Sequence, residues 1–156
     1  YFFLSKLITV YPRENKGDYI ITKKMIQQLV KREEKIEALI IRTLPNHSSK
    51  KTHNYSNTNP PYLSRGAAQY MVDINVRHLL IDTPSIDKEK DDGQVVAHKT
   101  FWQFPDSNRS GCTITELIYV PDSIVDDLYF LNLQFVAFEN DASPSRPILF
   151  KVISYE

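Results

Sequence analysis

Two apolar runs bracket a helix-like segment, and that arrangement restricts this chain more than any other feature. Residues 38–44 read Ala-Leu-Ile-Ile-Arg-Thr-Leu, nearly unbroken apolar sequence of strand length, and Val76 to Ile81 supplies a second run. Side chains alternate across a strand, so a strand apolar at successive positions is covered on both faces. The first run is expected at the centre of a sheet. Between the two, Ser64 is placed as an N-cap for a helix to about Ile74, with Ala67, Ala68, Met71 and Val72 facing inward. Strand, helix, strand with a crossover of this length gives a parallel pair and an α/β core.

The remaining elements follow from the same reading. Leu4 to Tyr11 alternates as a strand, and Pro12 with Asn15-Lys16-Gly17-Asp18 marks a turn. Thr22 caps a second helix in which Met25, Ile26, Leu29, Val30 and Ile36 form the apolar side and Lys23, Lys24, Lys31, Arg32, Glu33 and Glu34 the solvated one. The polar stretch from Pro45 to Tyr62, containing His47 and His53, is long enough for its loop to be functional or mobile. The last third reads as β structure at Thr113 to Val120, Leu128 to Phe138 and Pro147 to Ser154, with Leu131, Leu133 and Phe135 on a dry face.

At 156 residues the chain suits one globular domain, 1–156, with one sizeable core. No apolar run reaches about 18 residues, so no spanning helix is expected, and the single Cys112 forms no internal disulfide, which points to cytoplasm. Residues 1–80 carry 13 basic and 6 acidic side chains and residues 81–156 carry 6 and 13, a difference of about +7 against −7. Either the two halves complement each other, or the acidic half surrounds a cation. The lysines lack interleaved aromatics, so no nucleic-acid partner is expected.

Four glycines cannot build a phosphate-cradling loop, and no Gly-x-Ser-x-Gly elbow exists. The chemistry that remains centres on Ile81-Asp82-Thr83-Pro84-Ser85-Ile86-Asp87, the isolated His98, and Thr113-Ile114-Thr115-Glu116. His98 and Glu116 are expected to enter from strands or strand ends. A neutral imidazole and a carboxylate are natural ligands for Zn²⁺ or Mn²⁺, and either also serves as a general base. Spacing alone gives this pair little specificity, and a structural role for each is the plainer reading. A catalytic zinc also needs a third protein ligand.

Those segments, together with Tyr62-Leu63-Ser64-Arg65-Gly66-Ala67-Ala68 and Asp141-Ala142-Ser143-Pro144-Ser145-Arg146-Pro147-Ile148-Leu149, resemble the cyclase and kynurenine formamidase family of metal-dependent hydrolases over roughly residues 18–153. The resemblance implies a swivelling β/β/α fold, with a mixed sheet core, flanking helices and an incomplete N-terminus. It also implies hydrolysis of a formamide or cyclic amide by a water activated on one or two divalent metals, Zn or Mn. It makes His98 and Glu116 metal-site and catalytic residues, with Ser85 and Asp87 supporting them, and it suggests a homodimer or homotetramer. Arylformamidase activity in tryptophan catabolism is the best-known case in the family. Phe101 and Trp102, beside His98, are read as lining a substrate pocket or as ordinary core, and the Pro45–Tyr62 loop as a lid.

The family's His-x-Gly-Thr-His-x-Asp segment has no counterpart here. The chain is therefore expected to be the C-terminal part of a longer domain, poor in metal affinity by itself. A noncatalytic relative, kept for binding or assembly, is the competing reading.

Overall fold

The computed structural model of the chain describes residues 1–107 and 109–152. β1 (Phe2–Val10) leads into a hairpin of β2 (Arg13–Asn15) and β3 (Asp18–Ile21), then α1 (Lys23–Leu29) and β4 (Ala38–Thr43). After the long loop come β5 (Tyr62–Leu63), α2 (Arg65–Asp73), β6 (His78–Ile81), α3 (Val96–Trp102), β7 (Thr113–Thr115), β8 (Leu128–Asn132) and β9 (Ile148–Lys151). The main sheet runs β7-β6-β4-β1-β8-β9, and a small second sheet runs β2-β3-β5. β7, β6, β4 and β1 are parallel, whereas β8 and β9 are antiparallel additions on the β1 side. This is the expected α/β architecture with a mixed sheet.

β4 lies between β6 and β1 and is buried at every position, as its apolar sequence requires. Leu39 and Ile41 face a core roofed by the helices, and Ala38 and Ile40 face a second core on the other side. Arg42 breaks the apolar run but is satisfied. Its guanidinium donates to the Pro121 and Ile124 carbonyls at 2.9 and 2.8 Å, to Thr9 Oγ1 at 2.9 Å and to Asp126 at 3.1 Å. That fan of bonds straps the 121–126 segment across the sheet.

α2 forms as its sequence suggests: Ser64 Oγ accepts from the Ala67 amide at 3.2 Å, and Ala67, Ala68, Tyr70 and Met71 are buried. Its end is set by Asn75 in the left-handed region, with Asn75 N–H bonded to Val72 O and Val76 N–H to Met71 O, both at 2.9 Å. α1 departs from expectation, stopping at Leu29 instead of continuing toward Ile36. Val30 is extended and buried, the Tyr70 hydroxyl takes its carbonyl at 2.9 Å, and Glu34 accepts the Lys31 amide at 2.8 Å while pairing with Lys6. Tertiary partners thus end a helix whose apolar spacing could have carried it further.

The expected turn at Asn15–Asp18 is a two-residue hairpin loop, Lys16 and Gly17 both having positive φ as the type I′ geometry demands. The late strands are shorter than expected. β8 ends at Asn132, Phe135 is exposed instead of lying on a dry face, and the end of the proposed Pro147–Ser154 strand falls outside the described residues. No helix among the described residues is long and apolar enough to cross a membrane.

The polar loop after β4 is tied down at both ends. Lys50 Nζ donates to Asp82 Oδ2 at 2.8 Å and to the Thr43 carbonyl at 2.6 Å, with the Asp82 carboxylate fully buried. Glu89 accepts the Asn59 amide at 2.9 Å and that of Asn57, and Asp18 accepts from Asn59 Nδ2, Tyr62 and Lys88. His47 and His53 are exposed.

His78 is buried on β6 against the Phe3 ring, its Nδ1 2.9 Å from Thr113 Oγ1 and its Nε2 without a partner among the described residues. Burial, with the nearby Arg77 charge, lowers this imidazole below its ordinary value near 6.5. The unfolded chain therefore binds the proton first as pH falls. The stability this neutral histidine contributes is complete above about pH 6.5 and is lost as pH drops through the depressed value. We expect the urea midpoint of the wild-type chain to decline between about pH 6.5 and 5, and that of His78→Gln to decline less. Equal declines would show that His78 does not set the slope.

Candidate active site

The site is assembled where the loop after β6 meets the start of α3 and the end of β7. Asp87 sits in that loop and is buried; His98 is the third residue of α3; Glu116 follows the last residue of β7 directly. Glu116 thus enters from a strand end as expected. His98 does not, because Val96–Trp102 is helical and the imidazole projects from a first helical turn.

That turn is capped from a distance. The first amides of a helix lack partners within it, and here Asp87 provides them: Oδ1 accepts from Ala97 N–H, and Oδ2 accepts from His98 N–H at 3.2 Å. The same Oδ2 lies 2.6 Å from His98 Nδ1. An ionised carboxylate only accepts, so Nδ1 carries the proton and donates, leaving Nε2 with a free lone pair in the neutral ring. Nε2 points at Glu116, whose Oε1 is 3.6 Å away. The Glu116 carboxylate is anchored by the Ile86 amide at 2.8 Å.

The two carboxyls are held in opposite ways. Burial pushes Asp87 up, but hydrogen bonds from the His98 ring and from the Ala97 and His98 amides outweigh it and hold the group below the usual range. Burial raises Glu116 and prevails there, the Asp87 charge adding to it, against the Ile86 amide, the His98 ring and the Ser85 hydroxyl. One acid is thus kept as a fixed anion while the other favours its protonated form more than an exposed glutamate does.

His98 and Glu116 stand at the rim of an open cleft of about 1180 Å³ on the sheet face away from the helices. Ile40 and Leu80 form part of its floor, and the walls come from residues 112–121 and 141–149. Trp102 lines it too, its ring 5.2 Å from the imidazole and its Nε1 donating to the Cys112 carbonyl at 3.1 Å. Phe101 does not. It is fully buried in the core beneath the helices, one residue round the helix from Trp102, so of its two readings ordinary core holds and the substrate pocket does not. Ser85 and Asp87 lie behind the cleft, Ser85 Oγ accepting the Asp87 amide at 3.0 Å.

No residue of the Pro45–Tyr62 loop lines the cleft. The loop touches the outside of its wall, through Asn46 to the Val120 carbonyl at 3.0 Å and Lys51 over the Tyr119 ring. Sequence reasoning gave Cys112 and Tyr119 no place in a site and read residues 113–120 as strand, so it did not find the 118–121 wall.

The donor set suits a divalent cation in kind, a free imidazole nitrogen beside a carboxylate. Among the described residues no third His, Cys, Asp or Glu joins them in a metal-holding group.

The Cyclase family model matches residues 2–88, more than half of the chain. The chain belongs to the Cyclase family. Its fold is also that of two solved structures. One is described as a potential metal-dependent hydrolase with cyclase activity, 21% identical with a TM-score of 0.68, the match covering 95% of this chain and 64% of that one. The other is described as a predicted metal-dependent hydrolase from Bacillus stearothermophilus, 22% identical with a TM-score of 0.66, covering 94% and 62%. This cyclase-family chain therefore spans a little under two thirds of each. No curated protein sequence matches it. The family match includes Ser85 and Asp87 and stops before His98, so the roles of His98 and Glu116 rest on the geometry above.

The Asp87 contact predicts one tautomer. Long-range ¹H–¹⁵N correlation spectra should show neutral His98 protonated on Nδ1 in the wild type and predominantly on Nε2 in Asp87→Ala. Loss of the cap should also destabilise that variant by about 1–2 kcal/mol in urea unfolding. An unchanged tautomer would separate Asp87 from the imidazole.

Proposed function

We propose that this chain supplies the His98 and Glu116 part of a metal-dependent amide hydrolase centre of the formamidase or cyclic-amide type. The observation that carries the reading is the convergence of His98 Nε2 and Glu116 Oε1 at 3.6 Å on one cleft, with Asp87 fixing the imidazole from behind. The solved structures described as metal-dependent hydrolases support it through their shared fold. A divalent cation such as Zn²⁺ or Mn²⁺, bound by His98, Glu116 and further donors, would polarise an amide carbonyl and make water more acidic.

The chain's own residues account for the proton movements. With Nε2 given to the cation, His98 acts as a ligand, and the charge that the ring takes on is compensated at Nδ1 by Asp87, which hydrogen bonds keep ionised against the effect of burial. Glu116, its carboxyl raised by burial, is suited to accept the proton of the nucleophilic water and pass it to the leaving amine, which regenerates the carboxylate. Trp102, Ile118 and the apolar floor favour a planar or apolar acyl group and limit access of bulk water. Nothing in this lining selects N-formylkynurenine over a cyclic amide.

One observation favours the noncatalytic alternative: only two convergent donors are present among the described residues. The two readings separate by experiment. Calorimetric titration of this chain with Zn²⁺ is expected to show weak binding that His98→Ala abolishes, and tight stoichiometric binding would refute the two-donor reading. In the longest natural polypeptide carrying this sequence, assayed on aryl formamides and cyclic amides with Zn²⁺ or Mn²⁺, His98→Ala and Glu116→Gln should each lower kcat by about 10²–10⁴-fold. Absence of any hydrolysis there would favour the binding module, and wild-type rates in both variants would refute the roles given to His98 and Glu116.

A further inference from the structure

His98 follows a turn that contains one residue unsuited to its own backbone. Asp92, Gly93 and Val95 all have positive φ, at 54°, 72° and 42°. Glycine adopts that region freely and aspartate tolerates it, but the β-branched side chain of valine crowds the backbone there. Val95 is fully left-handed, with ψ at 52°, directly before α3 begins. Its side chain is exposed, so core packing does not impose the conformation.

The bonds that impose it come from Asp91. Its Oδ2 accepts the Val95 amide at 2.6 Å, its Oδ1 accepts the Gly93 amide at 3.0 Å, and its carbonyl accepts the Gln94 amide at 3.1 Å. One residue thus gathers three successive amides, and the chain meets all of them by turning back at Val95. The start of α3 depends on that turn. The Val95 carbonyl accepts from the Lys99 amide at 2.9 Å, and the Ala97 and His98 amides reach Asp87 from the same first turn. A seven-residue helix has little persistence of its own. Buried Ala97 and Phe101 seat one stripe of it on the core, which fixes neither the His98 amide nor its ring.

We propose that Asp91 is a positioning residue for His98. It holds Val95 in a conformation that valine resists, and so delivers the His98 amide and ring together to Asp87 Oδ2. Asp91 lines no part of the cleft and acts only through the backbone it bends. Two carboxylates thus have separate tasks: Asp91 sets where α3 begins, and Asp87 sets the ring. Strain of this kind persists only while the surroundings enforce it. Without Asp91, Val95 relaxes out of the left-handed region, the first turn of α3 moves off Asp87, and the imidazole is released. The consequence for hydrolysis rests on the ligand role proposed for His98, whereas the placement of the ring does not.

Long-range ¹H–¹⁵N correlation spectra of the metal-free chain, read beside urea unfolding, test the proposal. Asp91→Ala should move the neutral His98 ring from the Nδ1-protonated toward the Nε2-protonated tautomer. Val95→Gly should keep the wild-type tautomer and raise the urea midpoint by about 0.5 M, the reverse of the usual effect of introducing glycine. The double variant, Asp91→Ala with Val95→Gly, should regain the Nδ1-protonated form, because glycine takes the positive φ unaided. A loop that contributed stability alone would not give that rescue. A wild-type tautomer in Asp91→Ala, no recovery in the double variant, or a midpoint lowered by Val95→Gly would each overturn the proposal. If Asp91→Ala fails to fold, the sign of the Val95→Gly shift decides the matter. Neither readout involves hydrolysis, so failure of the metal chemistry proposed above would leave this result standing, and the reverse.

Discussion

The Asp87 carboxylate is the contact on which the site's geometry depends. It has two oxygens and three donors: the amides of Ala97 and His98 and the His98 ring. The first two begin α3 and the third aims its imidazole, so helix formation and ring orientation are a single event. A histidine placed on a loop would keep considerable rotational freedom, whereas here its backbone and ring are bound to the same oxygen. Burial would ordinarily neutralise a carboxyl in this position; three donated hydrogen bonds keep it charged.

Around that contact the sheet supplies a rigid frame. Asp82, at the end of β6, accepts the Thr43 amide and hydroxyl at 2.9 Å each and the Lys50 ammonium, binding the ends of two parallel strands to the following loop. Arg42 holds the opposite flank by reaching under residues 121–126. Buried charges of this kind add little net stability over apolar replacements, but removing one partner strands the other, which makes the arrangement specific. The 118–121 wall of the cleft therefore has a fixed position even though it contains no regular secondary structure.

Much of the fold was legible because its signals were local. β4 announced its central place through continuous apolar sequence, and α2 announced its start through Ser64 three residues before Ala67. The end of α1 was not legible, since it is decided by Tyr70 and Lys6, distant in sequence. The same distinction applies to the site. Glu116 was correctly placed at a strand end, and Asp87 near His98, but the helix bearing His98 was missed because its cap is supplied ten residues upstream instead of at the usual N-cap position, where Val95 stands in the left-handed region. Phe101 and Trp102 are adjacent in sequence and opposite in environment; without the helix, no pattern could tell the core residue from the cleft residue.

The two faces of the antiparallel half explain why the molecule has two open apolar regions. β8 alternates so that Tyr129 and Leu131 enter the core below the cleft while Leu128 and Phe130 face away. A one-residue shift in pairing with β1 would exchange these sets, bringing Leu128 and Phe130 under the cleft floor and exposing Tyr129 and Leu131. The register is held against that slip by Ser5 Oγ, buried, donating to the Tyr129 carbonyl at 2.9 Å. That bond would be lost in the shifted pairing, leaving a buried hydroxyl unsatisfied. The outward set is thus not an accident of a loosely attached edge. The same hydrogen bond that seats Leu131 beneath the candidate site holds Phe130 outward.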